Sequence, residues 1–451
     1  MNYRSSRGAA EKTGFCNAMR TALAPDGGLY VPEEFPALSE IPEDYAELSA
    51  AILAAYTDLP EEELLAQTRA NYKDFPISVK KTASGDFLEL FHGASGAFKD
   101  VALSLLPRLA ALCELPATTY VTATSGDTGK AAMEAMKDRD DTKIMVFYPK
   151  DGVAFLQERQ MATQEGDNVR VVQVEGDFDD AQRSVKQILS LFSEGVSSCN
   201  SINIARLISQ IPYYFHAAGA YPKDTKLNFF VPCGNFGNIL AGWYAKQMGL
   251  PVEKLVVCTN ENTVLHDFFT SGVYDRRREL KKTSSPSMDI LVSSNLERLL
   301  YHLLGAEETA LRMRQLEEDG VFSVPEECLS DFSTASATEE EAGEAIRSVF
   351  EKTGYLIDPH TACARVAWEK AGCPENSVIL ATASPSKFPE TMIKSLEGTE
   401  TGALEALEKL RAHTTIHPCI EAVLHRPTRF DETIRPEEAL ETFRAFHGGD
   451  A

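Results

Sequence analysis

The sequence predicts an α/β fold with parallel β-sheets behind a mainly helical N-terminal region. After about residue 82, short runs rich in β-branched residues alternate with longer amphipathic stretches, an order typical of parallel α/β sheets. Before that point, apolar residues recur at helical spacings. The chain has 451 residues, which is long enough for two or three structural units.

The N-terminal helices are predicted from the stretch 45–72. Leu48, Ile52 and Tyr56 recur at a four-residue spacing, which places them on one helical face. An acidic helix follows near residues 61–70. The first 80 or so residues are therefore expected to be mainly helical.

Five short apolar runs after the N-terminal region are predicted to be parallel strands, each followed by a helix. The stretch 333–350 (STASATEEEAGEAIRSVF) is predicted to be a capped acidic helix, and the last 60 residues are expected to be helical. The strand candidates are TTYVTA (118–123), KIMVFYP (143–149), VRVVQV (169–174), LNFFVP (227–232) and KLVVCTN (254–260).

Composition excludes several classes of protein. The net charge of −23 disfavours nucleic acid and anionic membranes as partners, so an anionic substrate needs a local positive site. The nine cysteines form no CxxC pair and no metal-ligand spacing, which predicts reduced thiols and no metal. The N-terminus has no apolar signal-peptide core, and no apolar run is long enough to span a membrane. A cytoplasmic location is expected.

The first candidate site is the loop 91–100 (FHGASGAFKD), which leads into an apolar helix. Lys99 lies at its end. A lysine that attacks a carbonyl must lose its proton readily, and the apolar neighbours Ala97 and Phe98 favour the neutral amine. The alternative is an ordinary solvated lysine near a helix start.

The second candidate site is the loop 231–238 (VPCGNFGN), between a predicted strand and a predicted helix. Glycines allow backbone N–H groups to converge on a phosphate, and the start of the helix attracts negative charge. The alternative is a tight turn that binds nothing. The order of strand, glycine loop and helix favours phosphate.

The third candidate site is the loop 122–129 (TATSGDTG), which also lies between a strand and a helix. Its hydroxyl and amide groups can bind a carboxylate or a phosphate. Alternatively, Ser125 or Asp127 only caps the next helix. The sequence leaves both interpretations open.

A series of motifs in this order resembles the threonine synthase family of the longer, yeast and enterobacterial type. The resemblance begins at NYRSSRG and extends to about Glu390, so it covers most of the chain. The motifs are HGASGAFKD, TATSGDTG, GDNVRVVQVEGDFDDAQ, NSINIARLISQIPYYF, VPCGNFGNILAGWYAKQMGLP, MDILVSSNLERLLY, DPHTA and ATASPSKFPE.

This resemblance implies the fold-type II, tryptophan-synthase-β-like architecture of pyridoxal 5'-phosphate enzymes. It implies a mainly helical N-terminal domain over 1–82, a two-lobed catalytic core over 83–390 and a C-terminal helical extension over 391–451. The cofactor is expected between the two lobes.

The resemblance also implies the cofactor-binding residues. Lys99 is expected to form the Schiff base and to act as the acid and base of the reaction. Thr382 is expected at the pyridine nitrogen, with Ser384 as the alternative, and Asp127 at the cofactor hydroxyl, where many relatives of this fold have asparagine. The residues expected around the cofactor phosphate are Gly234, Asn235, Phe236, Gly237 and Asn238.

Substrate contacts are assigned to a second group of residues. Arg206 is preferred for the substrate phosphate because it lies within a family motif, and Lys387 is the second candidate; a surface ion pair is the alternative for each. His92 and His360 are expected to have structural roles. The remaining substrate candidates are Ser95, Ser125 and Thr128.

The implied reaction converts O-phospho-L-homoserine and water to L-threonine and phosphate, in a monomer or homodimer. The family usually has Pro-Thr-Leu where this chain has Ala94-Ser95-Gly96. A phospholyase that gives 2-oxobutyrate from the same substrate is therefore the closest rival. A dehydratase or β-replacement enzyme is less favoured, and a non-catalytic sensor is disfavoured because Lys99 is present.

Overall fold

A computed structural model describes residues 1–8, 11–124, 126–192 and 194–448, apart from the side chain at position 179. Its strands are β1 (Asn2–Ser5), β2 (Thr13–Gly14), β3 (Tyr30–Pro32), β4 (Ser78–Thr82), β5 (Gly85–Glu89), β6 (Thr118–Ala123), β7 (Thr142–Pro149), β8 (Val169–Val174), β9 (Val196–Ser198), β10 (Leu227–Pro232), β11 (Val252–Thr259), β12 (Val273–Asp275), β13 (Val321–Ser323), β14 (Phe332–Ser336), β15 (Ser377–Ala381) and β16 (Thr433–Ile434).

The helices are distributed along the whole chain. They are α1 (Phe15–Thr21), α2 (Tyr45–Tyr56), α3 (Glu61–Tyr72), α4 (Lys99–Leu103), α5 (Leu106–Leu112), α6 (Asp127–Met136), α7 (Phe155–Ala162), α8 (Phe178–Leu191), α9 (Ile204–Ile208), α10 (Pro212–Ala218), α11 (Gly237–Gln247), α12 (Val264–Ser271), α13 (Leu296–Leu304), α14 (Ala306–Glu318), α15 (Glu339–Thr353), α16 (Pro359–Lys370), α17 (Pro389–Glu397), α18 (Ala403–Leu410), α19 (Pro418–His425) and α20 (Ala439–Gly448).

Two sheets form the framework of the α/β core. The larger sheet has the strand order β14-β11-β10-β15-β5-β4, and all its neighbouring strands are parallel except β4 and β5. The smaller sheet has the order β16-β8-β7-β6-β9 and is parallel throughout. Helices cover both sheets, so the central strands are buried and their sequences are nearly continuous apolar runs. The predicted α/β class is confirmed.

The N-terminal region combines the predicted helices with a small sheet. Helices α2 and α3 pack against each other, as their spacing predicts. The strands β1, β2 and β3 form an antiparallel sheet that the helical prediction missed. These strands have only two to four residues each, too few to show an alternating pattern in the sequence.

The prediction that all cysteines are reduced is wrong for two of them. Cys16 in α1 and Cys113 after α5 form a disulfide, with Cα atoms 5.5 Å apart. The sequence separation of 97 hid this pairing, because only the packing of α1 against α5 brings the two thiols together. The other seven cysteines are free.

The fully buried side chain of Arg298, on α13, ties the N-terminal region to the core. Its Nε donates to the carbonyl oxygen of Tyr30 in β3 at 2.8 Å. Its terminal nitrogens donate to the carbonyl oxygens of Ser201 and Ile202, on a loop of the core. One guanidinium group therefore links a strand of the N-terminal sheet to the loop that precedes α9.

The predicted helix over 333–350 begins later than expected. Its first residues form β14, which pairs in parallel with β11 at the edge of the larger sheet. Helix α15 starts only after Thr338, whose hydroxyl and Glu341 form a reciprocal capping box. Small and hydroxyl residues before the cap therefore belong to an edge strand.

The limits between domains stay a prediction. The boundary expected after residue 82 falls in the turn between β4 and β5, which pair as a hairpin. The C-terminal extension is helical as expected, but β16 also adds a strand to the smaller sheet beside β8. Among the described residues, no helix is long and apolar enough to cross a membrane.

Candidate active site

A cleft opens where strands of both sheets end. The carboxyl ends of β6, β10 and β15 each lead into residues that line it, as expected for parallel α/β sheets. Lys99 enters the same cleft from the start of α4. Several of the segments that carry the candidate residues therefore meet in one place.

Lys99 is held at the cleft by the backbone of the loop before it. The Phe98 N–H donates to the carbonyl oxygen of Thr382 at 2.8 Å, and the Ser384 N–H donates to the carbonyl oxygen of Gly96 at 2.9 Å. The Lys99 Nζ lies 3.5 Å from a carboxylate oxygen of Asp127. Burial lowers the pKa of Lys99, and although Asp127 opposes this shift, the pKa stays below its usual value. Lys99 therefore has the position and the environment of a proton acceptor.

Asp127 is a buried carboxylate between two lysines. Its Oδ1 accepts from Gln157 Nε2 at 2.8 Å and pairs with Lys387 Nζ at 3.0 Å. Its Oδ2 lies near Lys99 Nζ and accepts from the Ser287 hydroxyl at 3.3 Å. Burial favours the protonated acid, but Lys387 and Lys99 outweigh it and hold the pKa of Asp127 well below its usual value. Asp127 is therefore ionised.

The loop 233–238 presents unsatisfied donors to the cleft. Phe236 adopts a left-handed backbone with φ of 62°, and no side chain caps α11, which begins at Gly237. Free amide groups at a helix start attract anions. The Asn238 Oδ1 accepts from the hydroxyls of Tyr213 and Tyr214, whereas its buried Nδ2 has no partner among the described residues. The loop therefore has the donors that a phosphate group needs.

Thr124 satisfies two backbone amide groups around the start of α6. The Thr124 hydroxyl accepts from the N–H groups of Gly126 and Gly129 at 2.9 and 3.0 Å. The cap therefore comes from Thr124, a residue that the sequence did not single out. Asp127 directs its carboxylate to the lysines instead of capping the helix.

Thr382 and Ser384 differ in their access to the cleft. Thr382 lines it at the end of β15, and no described residue is bonded to its hydroxyl. The Ser384 hydroxyl shares a 2.7 Å hydrogen bond with Ser386, and Ser384 does not line the cleft. The geometry favours Thr382 as the hydroxyl that faces a ligand.

Arg206 provides an unpaired positive charge in the cleft wall. It is 4% exposed, and its Nη1 donates to the carbonyl oxygen of Cys199 at 2.8 Å. Its Nε has no hydrogen-bond partner among the described residues. Burial lowers the pKa of Arg206 to about 10, which leaves the guanidinium charged at neutral pH. A buried cation without a carboxylate partner is suited to an anionic ligand.

Ser287 and His360 add a hydrogen-bonded chain to the other wall. The Ser287 N–H donates to His360 Nε2 at 3.3 Å, and His360 Nδ1 lies 2.8 Å from an oxygen of Asp358. Because Nε2 accepts a backbone N–H, the ring proton is on Nδ1 and points to Asp358. His360 thus fixes the segment that carries Ser287.

Comparisons with known proteins agree with this geometry. A family model described as "Pyridoxal-phosphate dependent enzyme" matches residues 88–384, and one described as "Threonine synthase N terminus" matches residues 2–72. Threonine synthase of Saccharomyces cerevisiae is 35% identical over 89% of this chain and 90% of that protein. The Pseudomonas aeruginosa threonine synthase is 38% identical over 88% of this chain and 90% of that protein.

A solved structure shows the same relationship. The threonine synthase of Brucella melitensis, determined with bound pyridoxal phosphate, superimposes with a TM-score of 0.87 at 36% identity, over 99% of this chain and 98% of that chain. This chain belongs to the threonine synthase family. The resemblance and the fold-type II architecture are confirmed, and pyridoxal phosphate is the cofactor.

The residues in the cleft fit the cofactor of the threonine synthase family. The partnerless Asn238 Nδ2 and the uncapped start of α11 are donors for a phosphate, and Lys99 is positioned to bond a carbonyl carbon. Thr382 offers a free hydroxyl in the same cleft.

Most of the predicted site residues line the cleft, and two of them do not. Ser95 and Lys387 are buried behind the cleft and do not line it, and Ser125 lies outside the described residues. The following line it: Lys99, Asp127, Thr128, Arg206, Gly234, Asn235, Phe236, Gly237, Asn238 and Thr382.

Sequence reasoning did not single out Ser287 and Asn200, which both line the cleft. Ser287 directly precedes the MDILVSSN motif, and Asn200 begins the NSINIARL motif, so both lie beside stretches that the family resemblance had marked. His360 was expected to have a structural role, and its bonds to Asp358 and Ser287 are of that kind, although the ring also lines the cleft.

The departure from the family pattern at residues 94–96 has a structural reason at its last position. Gly96 has φ of 72°, a left-handed conformation that favours glycine. A Cβ there would lie 3.2 Å from the Sγ of Cys419 in the C-terminal extension. The Ser95 N–H donates to Asp100 at 2.8 Å. The C-terminal extension therefore packs closely against the loop 91–100, which carries Lys99.

Proposed function

We propose that this protein is a threonine synthase that converts O-phospho-L-homoserine and water to L-threonine and phosphate. Membership of the family, established over nearly the whole chain, supports the reaction class. The observation that carries the choice of substrate is the guanidinium of Arg206, which lies in the same cleft as Lys99 and whose Nε has no hydrogen-bond partner among the described residues. A phosphate-bearing amino acid has the charge to engage Arg206 while its α-carbon faces Lys99.

Four parts of the cleft would hold the cofactor. The 233–238 loop and Asn238 Nδ2 would bind its phosphate, the Thr382 hydroxyl would face its pyridine nitrogen, and Lys99 would bond its aldehyde carbon. Asp127 Oδ2 would face its hydroxyl. When bound, pyridoxal phosphate supplies the electron sink for charge that develops on the substrate's carbon atoms.

Lys99 moves the protons of the reaction. In its neutral form, Nζ accepts the proton from Cα of the substrate, and a proton then leaves Cβ as the γ-phosphate departs from Cγ. Burial favours this neutral form because it disfavours the ammonium ion. Lys99 delivers a proton to Cγ, which becomes the methyl group. Water then adds its oxygen at Cβ, a proton returns from Lys99 to Cα, and the released phosphate takes up the remaining proton of the water.

Arg206 would bind the substrate phosphate and stabilise it as it departs. Its free Nε and its buried position allow a charge-assisted hydrogen bond to a phosphate oxygen. The side chains of Asn200, Ser201 and Thr128 also line the cleft and would supply neutral donors. Lys387 does not take part in this contact because its three donors are already engaged.

The first test incubates the cofactor-loaded enzyme with O-phospho-L-homoserine and identifies the carbon product by mass spectrometry, with phosphate release measured in parallel. We expect threonine and phosphate in equal amounts. Lys99→Ala should lower kcat by at least about 10³-fold, since it removes the group that moves the protons. If 2-oxobutyrate replaces threonine, the protein is a phospholyase and the proposal is wrong; if neither product forms, the substrate is wrong.

The second test isolates Arg206. Arg206→Met should raise KM for the phosphorylated substrate by about 10- to 100-fold, because one charge-assisted bond to phosphate is lost. Arg69→Met is the matched control, since that arginine is exposed on α3 and pairs only with Glu47 at the surface. Equal KM values for the two variants would rule out a phosphate contact by Arg206.

The remaining predictions concern the setting of the reaction. A monomer or homodimer and a cytoplasmic location stay predictions from the sequence. Size-exclusion chromatography with light scattering distinguishes the two oligomeric states.

A further inference from the structure

Lys387 is a buried ammonium group whose donors are all engaged. It is 1% exposed, on the short 3₁₀ turn that follows β15. Its Nζ donates to the carbonyl oxygen of Ser95 at 2.8 Å and to Gln160 Oε1 at 3.0 Å, and it pairs with Asp127 Oδ1 at 3.0 Å. An ammonium ion has three N–H donors, so this environment fits the charged form.

This contact determines how Asp127 is used. Its Oδ1 is occupied by Lys387 and Gln157. Its Oδ2 is left to face Lys99 and the Ser287 hydroxyl, at 3.5 and 3.3 Å. One carboxylate is therefore shared between a lysine inside the protein and a lysine in the cleft.

Other charged and titratable groups surround the two lysines from several elements. Arg206 on α9 lowers the pKa of Lys99, and His360 on α16 lowers the pKa of Asp127. Asp100 on α4 and Cys419 of the C-terminal extension raise the pKa of Lys387. Lys387 in turn lowers the pKa of His417, which is also in the C-terminal extension. Within this set, Asp127 has the closest contact with both lysines.

We propose that Lys387 is a positioning residue for the reaction: it balances the charge of Asp127, so that Asp127 orients Lys99 without trapping it as an ammonium ion. This inference rests on the proposed role of Lys99 as the proton acceptor. Lys387 itself touches neither substrate nor cofactor, because it lies behind the cleft wall.

The charges act on Lys99 in opposite directions. Burial lowers the pKa of Lys99 most, Asp127 raises it, and Arg206 and Lys387 lower it. Removal of Lys387 leaves the carboxylate facing Lys99 alone, which should raise the pKa of Lys99. Removal of the Asp127 charge should lower it. When both charges are removed together, the two shifts should nearly cancel, and the pKa of Lys99 should stay close to that of the wild type.

The test measures the ionisation of Lys99 directly, in the full-length chain freed of cofactor. Competitive acetylation with acetic anhydride, quantified at Lys99 by peptide mass spectrometry from pH 6 to 11, gives the midpoint for its ionisation. Lys387→Met should raise this midpoint by about one pH unit or more. Asp127→Asn should lower it, and the double variant should return to within about half a unit of wild type.

A second readout uses the cofactor-loaded enzyme. The acid limb of the kcat profile reports the essential base in the complex with substrate. It should move to higher pH in Lys387→Met and return in the double variant with Asp127→Asn. A residue needed only for packing would lower kcat at every pH without moving the limb.

Lys130→Met is the matched control. Lys130 is also a buried lysine, 2% exposed, but its Nζ bonds to Glu134 and Gln164 and does not face Lys99. The Lys130→Met variant should lower the stability of the protein and leave the midpoint of Lys99 ionisation unchanged. If Lys387→Met fails to fold, the downward shift in Asp127→Asn still tests the charge balance.

Two results would overturn the inference: a Lys99 midpoint that is unchanged in both single variants, or a double variant that shifts as far as Lys387→Met. The acetylation needs no substrate, so its result is independent of which product the enzyme makes. A failure to form threonine together with the expected shifts would therefore reject the proposed function and keep the role of Lys387.

Discussion

The two glycine-containing loops that follow β10 and β6 have the same order of strand, small residues and helix, but they use their amide groups differently. The 233–238 loop leaves the start of α11 uncapped and an Asn238 donor without a partner. In the 124–129 loop, Thr124 satisfies two amides internally and Asp127 is held by Lys387. The 233–238 loop offers free donors to an anion, whereas the loop after β6 binds two of its amides internally and presents the carboxylate of Asp127.

The largest effect is expected where the second loop loses its charge. Asp127→Leu leaves the ammonium of Lys387 buried without a counter-ion, so the free energy of unfolding of the cofactor-free protein should fall by about 3–5 kcal/mol, measured by urea denaturation. Adding Lys387→Met should recover most of the loss, because an apolar pair then replaces the ion pair. Unchanged stability in Asp127→Leu would show that this ion pair does not hold the loop.

The next largest effect is expected from a substitution that distorts the 233–238 loop. A Cβ at position 234 would overlap the carbonyl oxygen of Ser287, so Gly234→Ala must shift backbone at a cost of about 1–3 kcal/mol. The dissociation constant of the Gly234→Ala variant for pyridoxal phosphate should rise roughly 10- to 100-fold, as measured by fluorescence titration of the cofactor-free protein. Gly237→Ala is the control, since the Cβ there would lie 3.4 Å from Asn295; equal losses in both would contradict the steric explanation.

A smaller effect tests whether the second loop caps itself. Thr124→Val removes the acceptor for the Gly126 and Gly129 amides, which should lower the free energy of unfolding by about 1–3 kcal/mol. The affinity for inorganic phosphate, as a probe of the 233–238 loop, should not change. A loss of phosphate binding in Thr124→Val would mean that the two loops share one anion site.

The smallest effect sharpens the description of Asn238. Tyr213→Phe removes one of the two hydroxyls that hold its Oδ1, while the Tyr214 hydroxyl remains at 2.9 Å. We expect pyridoxal phosphate to bind about two- to fivefold more weakly, in line with the loss of one hydrogen bond. The double variant with Tyr214→Phe should lose more than the sum of the single losses, because the Asn238 side chain is then free to rotate.

Much of the fold was predictable because its strands are buried on both faces. LNFFVP coincides with β10, since a central parallel strand gives a nearly continuous apolar run, and VRVVQV coincides with β8, whose four valines are buried. Edge strands such as β14 and β16 were missed because they are short, and β14 is also rich in small and hydroxyl residues.

The prediction of the site names Lys99 and Gly234 from two separate motifs, and both residues line the same cleft, while their roles stay predictions. It did not foresee the contacts of Lys387, because those depend on Asp127 and Gln160 from distant parts of the chain. Sequence spacing cannot distinguish a cation that faces a ligand from one that neutralises a buried carboxylate.

The buried guanidinium of Arg298 joins the N-terminal region to the wall of the cleft. It bonds the carbonyl oxygen of Tyr30 with one nitrogen and that of Ser201, a residue of the cleft wall, with another. A shortened chain that begins after α3 would leave this cation without its N-terminal acceptor, and the cleft wall would lose an anchor. Engineers who graft or trim such enzymes should therefore treat the first 72 residues as part of the catalytic scaffold and not as a removable appendage.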